Sequence, residues 1–307
     1  MRLEQLQAFL AVAETSSFQQ AARQCQVTQS TISRQIQGLE ADLGMPLLHR
    51  SSQVKLTIAG DRFLPHAKKI CQEWATATGE IEELRLGKQP ELCVAAIHSV
   101  CAYQLPPLLQ QFCREFPAVQ LRVTALGSDR ALKVLRDGLV DVAIVMNNRF
   151  LTTSPEMVVD PLYTEPVQVL MSATHPLTHY DRIPWEQLVR YPQVVFKDGY
   201  GMTRLVQEQF QRQGVTLNPA LELNTLDAFR GVVRQGEMVA LLPQGAIADI
   251  NQDPSLVLRP TLDPVLYREV VLVTTQDRLQ IPPIRRFRDL VHQSLLATTS
   301  PYWVTSA

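Results

Sequence analysis

The chain has 307 residues, of which 46% are hydrophobic and 19% are charged. This composition is typical of a globular protein and excludes an intrinsically disordered chain, and the length predicts about two domains. The 29 lysines and arginines nearly balance 30 aspartates and glutamates, giving a formal net charge of −1. Taken alone, that charge argues against a nucleic-acid binder, which needs a basic surface.

The sequence shows no sign of a membrane or secreted protein. No apolar stretch is long enough to cross a bilayer, and the N-terminal segment carries Glu4 and Glu14 where a secretion signal needs an uncharged core. The five cysteines are odd in number and no pair has the spacing C-x-x-C. Neither a disulfide framework nor a cysteine-based metal site is expected, and the features together predict a cytoplasmic protein.

The first 43 residues predict three short helices. Apolar residues recur at helical spacing over residues 3–14. Ser17 begins a Ser-x-x-Gln capping box for a second helix over residues 18–24, and Thr28 can cap a third. The apolar stripe of the third helix consists of Ile32, Ile36, Leu39 and Leu43.

Polar side chains lie off this stripe. Two short helices joined by a tight turn, with Gln, Ser and Arg near the start of the second, are typical of a helix-turn-helix that enters the major groove. Arg34 can donate two hydrogen bonds to guanine, and Gln29 can pair with adenine. The alternative is an ordinary three-helix bundle with a polar outer face. The candidate DNA-binding residues of this helix are Gln29, Ser30, Ser33, Arg34 and Gln37.

Residues 47–57 predict a β-hairpin, because a short apolar run is followed by a polar tip and then by Val-x-Leu alternation. After a helix-turn-helix, such a hairpin would be a wing. Arg50 and Lys55 would then lie near the phosphate backbone, where cations add affinity that is independent of sequence.

A long helix is predicted from Thr57 to about Leu86, ending at Gly87. Its apolar residues are spaced alternately by four and three positions, which is a heptad pattern and predicts a homodimer. Pro65 conflicts with a smooth helix, and packing on the same chain is the alternative to a partner. The predicted dimerisation seam is Phe63, Ala67, Ile70, Trp74, Ala77, Ile81 and Leu84.

From residue 91 onward, predicted strands alternate with helices, which indicates α/β units around mostly parallel sheets. The length of this part allows one large lobe or two small ones. The predicted strands are 92–97, 119–126, 142–146, 167–171, 194–196, 221–223, 239–242 and 270–274, and the predicted helices are 105–116, 130–137, 202–211 and 226–233.

Ligands bind beyond the carboxyl ends of strands in open α/β sheets. Ser99 and Ser128 open predicted helices, whose free N–H groups favour anions, and Lys197 adds a positive charge. We therefore expect a small anionic effector; the alternative is a set of helix-capping residues without a ligand. The candidate effector-binding residues are Ser99, Val100, Ser128, Met146, Lys197, Thr203 and Thr225.

The N-terminal part resembles the DNA-binding domain of the LysR-type transcriptional regulators. The resemblance is carried by a long, ordered motif set: Phe9, Ser17-Phe18, Ala21-Ala22, Val27-Thr28-Gln29-Ser30, Ile32-Ser33, Gln35-Ile36, Leu39-Glu40, Leu43-Gly44, Leu47, Arg50, Leu56-Thr57 and Ala59-Gly60. It implies an α/β protein with an N-terminal all-α winged helix-turn-helix, a linker helix and a two-lobed effector domain of periplasmic-binding-protein type.

The same resemblance implies the domain boundaries and the partners. We expect a winged helix-turn-helix over residues 1–60, a linker and dimerisation helix over 61–90, an effector domain over 91–297 and a flexible tail over 298–307. The implied partners are double-stranded promoter DNA, a small anionic effector, a second or further copies of the chain in a homodimer or homotetramer, and RNA polymerase.

Four stretches, residues 2–13, 91–100, 121–133 and 191–200, are similar to LysR-type activators of nitrogen assimilation in cyanobacteria. This narrower resemblance implies activation of nitrate-assimilation genes with nitrite as the effector. A carbon-responsive regulator of the same family is the nearest alternative. A redox-responsive regulator is another, because Cys93, Cys101 and Cys113 lie close in sequence.

Other classes of protein have less support. The chain has no G-x-S-x-G, P-loop or H-E-x-x-H motif, so we expect neither an enzyme nor a bound cofactor or metal. His98 and Ser99 are adjacent but lack a third partner for nucleophilic catalysis. A periplasmic-type solute-binding protein is disfavoured by the helix-turn-helix and by the absence of a secretion signal.

Overall fold

The computed structural model describes residues 1–49, 54–148, 155–247 and 250–297. The chain divides into two compact units, Met1–Leu84 and Arg85–Ala307. Arg50 and the tail predicted over residues 298–307 lie outside the described residues. In the described part of the chain, no helix combines the length and the apolar character needed to span a membrane.

The N-terminal unit consists of four helices and a short hairpin. Ser17 accepts a hydrogen bond from the backbone N–H of Gln20, and Thr28 accepts one from that of Thr31, so both predicted caps are present. The elements are α1 (Leu3–Thr15), α2 (Phe18–Gln24), α3 (Gln29–Leu43), β1 (Leu48–His49), β2 (Lys55–Leu56) and α4 (Ile58–Arg85).

The core of this unit lies between α1, α2 and α3, where Phe9, Ile32, Ile36 and Leu39 are fully buried. Leu43 differs from its prediction because it is 40% exposed. The helix ends there, and Gly44 turns the chain with a φ of 71°. The buried stripe therefore stops at Leu39.

The C-terminal unit alternates strands and helices as predicted, with small shifts of the bounds. One strand, β6, begins at Met157, ten residues before its predicted start. The strands are β3 (Glu91–Ala96), β4 (Gln120–Ala125), β5 (Val142–Met146), β6 (Met157–Ser172), β7 (Gln193–Phe196), β8 (Pro219–Leu223), β9 (Val239–Pro243), β10 (Leu256–Pro260) and β11 (Tyr267–Thr275). The helices are α5 (Leu105–Glu115), α6 (Ser128–Arg136), α7 (Trp185–Leu188), α8 (Gly201–Arg212), α9 (Leu226–Val233) and α10 (Pro282–Ala297).

The strands pair in the order β4-β3-β5-β11-β6-β9-β7-β8, with β10 also on β6. Parallel pairs join β3 to β4 and β5, and β7 to β8 and β9. The prediction of mostly parallel sheets is wrong at the centre, where β6 and β11 run antiparallel to their neighbours. The difference arises because the chain passes from the parallel group β3, β4 and β5 to the parallel group β7, β8 and β9 through β6. It returns to the first group through β11.

Two lobes share this sheet. Residues 157–166 of β6 pair with β11 in lobe I, which also holds β3, β4 and β5. Residues 167–172 pair with β9 and β10 in lobe II, which also holds β7 and β8. Separate hydrophobic clusters fill the two lobes. The carboxyl ends of parallel strands from both lobes therefore face a common region.

Candidate functional sites

The first turns of α3 present polar side chains to solvent. Gln29, Ser30, Arg34 and Gln37 are exposed, and Ser33 is half-buried. Their neighbours on the opposite face, Ile32 among them, are buried against α1 and α2. Among the described residues, Arg34 forms neither a hydrogen bond nor an ion pair, so its five N–H donors remain available to an acceptor outside the chain.

The hairpin after α3 is held by an acidic residue of that helix. Glu40 Oε1 accepts hydrogen bonds from the backbone N–H groups of Leu47, at 2.8 Å, and of Leu48, at 3.2 Å. Lys55, on the second strand, is exposed. Residues 1–60 contain five basic and four acidic residues, so the N-terminal part has a small positive charge that the whole-chain total conceals.

The predicted seam of α4 divides into two parts. Phe63 and Ala67 pack into the core of the N-terminal unit, where the ring of Phe63 lies 5.7 Å from that of Phe9. Further along, Trp74 is 57% exposed and Ile81 is 66% exposed. The exposed seam residues are Ile70, Trp74, Ala77, Ile81 and Leu84. Exposed apolar stripes of this kind are typical of surfaces that contact other proteins.

In the C-terminal unit, a cavity of about 30 Å³ lies between the lobes, at the carboxyl ends of β3, β5, β7 and β9. This volume holds about two water-sized molecules. The residues that line it are Ile97, His98, Ser99, Ser128, Met146, Phe196, Tyr200, Gly201, Met202, Leu226, Pro243, Ala246 and Arg268.

Arg268 forms the charged part of the cavity wall. Its Nη2 donates to Ser99 Oγ at 2.7 Å, and its Nε donates to Glu165 Oε1 at 2.8 Å. The side chains of Arg268 and Glu165 are only 4% and 10% exposed. A buried charge is expensive unless it is paired, and this pair satisfies both groups.

The lobes are in close contact beside the cavity. Arg204 of α8 donates two hydrogen bonds to Asp129 of α6, both at 2.5 Å. A Cβ on Gly127 would lie 2.8 Å from the carbonyl oxygen of Gly199, so a larger residue there would push the lobes apart. The two lobes therefore touch directly at this point.

Two family models match the chain, and together they span most of its length. The model described as a bacterial regulatory helix-turn-helix protein, lysR family, matches residues 3–61. The model of the LysR substrate binding domain matches residues 85–296. The chain belongs to the LysR family of transcriptional regulators.

Individual relatives agree with the LysR assignment. A probable nitrogen assimilation transcriptional activator of Synechococcus elongatus is 56% identical over 97% of this chain and 96% of its own. A protein of the same description from Synechocystis is 58% identical over 95% of this chain and 96% of its own. Among solved structures, a full-length OxyR variant from Pseudomonas aeruginosa superposes with a TM-score of 0.71, at 26% identity, over 96% of this chain and 99% of that one.

The cavity of this LysR-family protein contains some of the predicted effector residues and not others. Ser99, Ser128 and Met146 line it. The other four do not line it: Val100 is fully buried behind the wall, the Thr203 hydroxyl donates to the Phe196 carbonyl at 2.6 Å, and Lys197 and Thr225 are exposed.

Ser128 also acts differently from a helix cap. Its hydroxyl accepts a hydrogen bond from the backbone N–H of Met146 at 3.2 Å and so connects α6 to the end of β5. Gly127, rather than Ser128, occupies the N-cap position of α6. Because glycine has no side chain, it supplies no oxygen to cap the helix. The first N–H groups of this helix therefore have no side-chain cap.

Two further polar residues, Arg268 and His98, line the cavity in addition to the predicted effector residues. Arg268 lies just before the apolar residues of a predicted strand. Its position therefore does not predict a contact with a ligand. His98 lies at the end of the predicted strand 92–97, beside Ser99; burial lowers the pKa of its imidazole, so it is neutral near pH 7. In the described structure, His98 Nδ1 is buried and has no hydrogen-bond partner. It is a further polar atom near the cavity that a ligand can satisfy.

The cysteines give little support to redox sensing. Burial raises the pKa of the Cys101 thiol to about 11, which disfavours the reactive thiolate. Burial, followed by the charge of Glu91, also raises the pKa of Cys93. Within the described ranges, all five cysteines are free and no cluster of three or more His, Cys, Asp or Glu side chains is suited to a metal ion.

Proposed function

We propose that this LysR-family protein activates the transcription of nitrogen-assimilation genes in the cytoplasm. The observation that carries the proposal is the identity of 56–58%, over almost the whole chain, with relatives described as probable nitrogen assimilation transcriptional activators. The identity extends through both the DNA-binding and the effector part. The protein acts by binding and not by catalysis.

The DNA contacts assigned by this proposal come from α3 and the wing. Gln29, Ser30, Ser33, Arg34 and Gln37 read the major groove, since all but the half-buried Ser33 are exposed near the start of the helix. Lys55 and Arg50 add phosphate contacts. The exposed part of the α4 seam joins two chains, so that two heads read two half-sites, and a dimer or tetramer presents them to RNA polymerase.

The effector is a small anion that binds in the cavity between the lobes. Arg268 and Ser99 supply a cation and a hydroxyl at its wall, and Ser128 lines it at the start of α6. The small volume favours an anion of few atoms, such as nitrite, over a larger carboxylate of central metabolism. Binding there shifts the population of lobe arrangements and so the state of the DNA-bound heads.

Fluorescence anisotropy with two promoter fragments tests the regulatory part. One fragment comes from a nitrate-assimilation operon and the other from a carbon-fixation operon, at the same salt concentration, because affinity for DNA depends strongly on salt. We expect the nitrogen promoter to bind at least about 1,000-fold more tightly, as a specific site does over a non-specific one. The opposite preference would favour the carbon-metabolism alternative.

Isothermal calorimetry on the full-length protein tests the effector. The screen contains nitrite, nitrate and small carboxylates such as 2-oxoglutarate. Saturable heat with nitrite supports the proposal, whereas binding of 2-oxoglutarate alone would favour a carbon-responsive regulator. Binding of none of them would reject a small anionic effector.

A further inference from the structure

Glu165 and Arg268 face each other across two antiparallel strands. They are direct register partners of β6 and β11, and both lie in the interior of the C-terminal unit. Two nitrogens of Arg268 converge on one carboxylate oxygen: Nε lies 2.8 Å and Nη2 lies 2.6 Å from Glu165 Oε1. The guanidinium reaches the cavity, whereas Glu165 stands behind it and does not line the cavity.

The second oxygen of Glu165 has its own fixed partner. Glu165 Oε2 accepts a hydrogen bond from the backbone N–H of Gly245, in the turn that follows β9. A Cβ at residue 245 would lie 2.9 Å from that oxygen, so the turn fits closely against the carboxylate. The neighbours Pro243 and Ala246 line the cavity. Glu165 is therefore held in place from lobe II while it binds Arg268.

This arrangement determines the charge that a ligand meets. Arg268 is the one Lys, Arg, Asp or Glu among the described residues that line the cavity, and the pKa of His98 is lowered by burial. Glu165 already neutralises Arg268. An incoming anion must either share the guanidinium with a carboxylate of like charge or draw Arg268 away from it, and both weaken binding in a poorly solvated site.

We propose that Glu165 is a built-in competitor for the effector anion: its carboxylate occupies Arg268 when the cavity is empty and sets how much anion is needed to bind. The inference rests on the proposed function, because it requires that a small anion binds at Arg268. Glu165 acts through Arg268 and is thus a positioning residue for the ligand. Substitution of a residue beside a ligand site usually weakens binding, whereas removal of the Glu165 charge is expected to strengthen it.

The test compares two substitutions that each remove one negative charge. Glu165→Gln keeps the shape and an oxygen acceptor for Arg268. Glu269→Gln is the matched control: Glu269 is the next residue of β11, its carboxylate accepts from Asn147 Nδ2 at 2.6 Å, and it does not line the cavity. Calorimetric titration with sodium nitrite gives the dissociation constant of the full-length wild type and of both variants.

We expect Glu165→Gln to bind nitrite at least about tenfold more tightly than wild type, and Glu269→Gln to bind within about twofold. Loss of packing would weaken binding, so tighter binding cannot come from damage to the fold. Thermal unfolding with increasing nitrite provides a second measurement if Glu165→Gln is destabilised, because a tighter ligand raises its midpoint at lower concentration.

The outcomes are distinct. Two results, if seen in Glu165→Gln alone, support the competitor role: tighter binding of nitrite, or a rise of the unfolding midpoint at a lower nitrite concentration. Equal or weaker binding in Glu165→Gln, with binding by wild type, overturns that role and leaves the anionic effector in place. No binding of nitrite by any of the three proteins rejects nitrite as the effector, and the competitor role with it.

Discussion

The polar side chains of α3 and those of the cavity between the lobes have opposite environments. On α3, Arg34 and its neighbours are exposed, and Arg34 has no partner within the described chain. In the cavity between the lobes, Arg268 is buried and already bonded to Glu165 and Ser99. Under the proposed function, the polar side chains of α3 gain partners only when DNA binds, whereas Arg268 must exchange partners when an effector binds.

The difference has an energetic consequence. Exposed polar groups contribute little to folding, so we expect a substitution on α3 to have little effect on stability. A buried ion pair connects function to folding, because removing one member leaves the other charge uncompensated. Substitutions on α3 and in the Arg268–Glu165 pair are therefore expected to differ in their effect on stability.

The largest expected effect is on stability, for Arg268→Met. The substitution leaves Glu165 buried without its cation, and we expect the free energy of unfolding of the C-terminal unit to fall by about 3–5 kcal/mol. Urea unfolding followed by circular dichroism measures it, with Arg34→Ala as the exposed control, which should stay within about 0.5 kcal/mol of wild type. A loss below about 1 kcal/mol for Arg268→Met would contradict the importance of the pair.

The next effect concerns the exposed stripe of α4. Trp74→Ala removes the largest apolar side chain of that stripe, so we expect self-association to weaken by about 2 kcal/mol or more. Sedimentation equilibrium measures it, and the folded content by circular dichroism should not change. Glu73→Ala, one residue away and polar, is the control. Unaltered association of Trp74→Ala would show that the chains meet elsewhere.

A smaller effect is expected on α3, where Arg34→Ala should cost about 1–3 kcal/mol on the specific operator if Arg34 reads a base. Lys55→Ala is the comparison, because loss of a phosphate contact weakens binding to all sequences alike and lowers the salt dependence by about one ion. Gel-shift titrations on specific and unrelated DNA distinguish them. Unchanged sequence preference in Arg34→Ala would remove that residue from the reading surface.

The same contrast explains what could be predicted from the sequence. The helical period separates the buried face of α3 from its exposed face, so the exposure of Gln29, Ser30, Arg34 and Gln37 could be predicted from spacing. The strand ends marked Ser99 and Ser128, which line the cavity. Glu165 and Arg268 are 103 residues apart, and their pairing depends on the register of two antiparallel strands. Local patterns carry no information about that register; they point instead to Lys197, whose charge follows a predicted strand but which is exposed.

Nitrite titration of Ser99→Ala tests the central claim, that the cavity beside Arg268 is the effector site. Ser99 lines the cavity and Thr225 does not, although both were predicted from strand ends and helix starts. We expect Ser99→Ala to bind nitrite about tenfold more weakly than wild type, because a hydrogen bond to a charged ligand is lost, and Thr225→Ala to bind as wild type does. Full affinity in Ser99→Ala, or loss of binding in Thr225→Ala, would contradict this account and place the effector elsewhere.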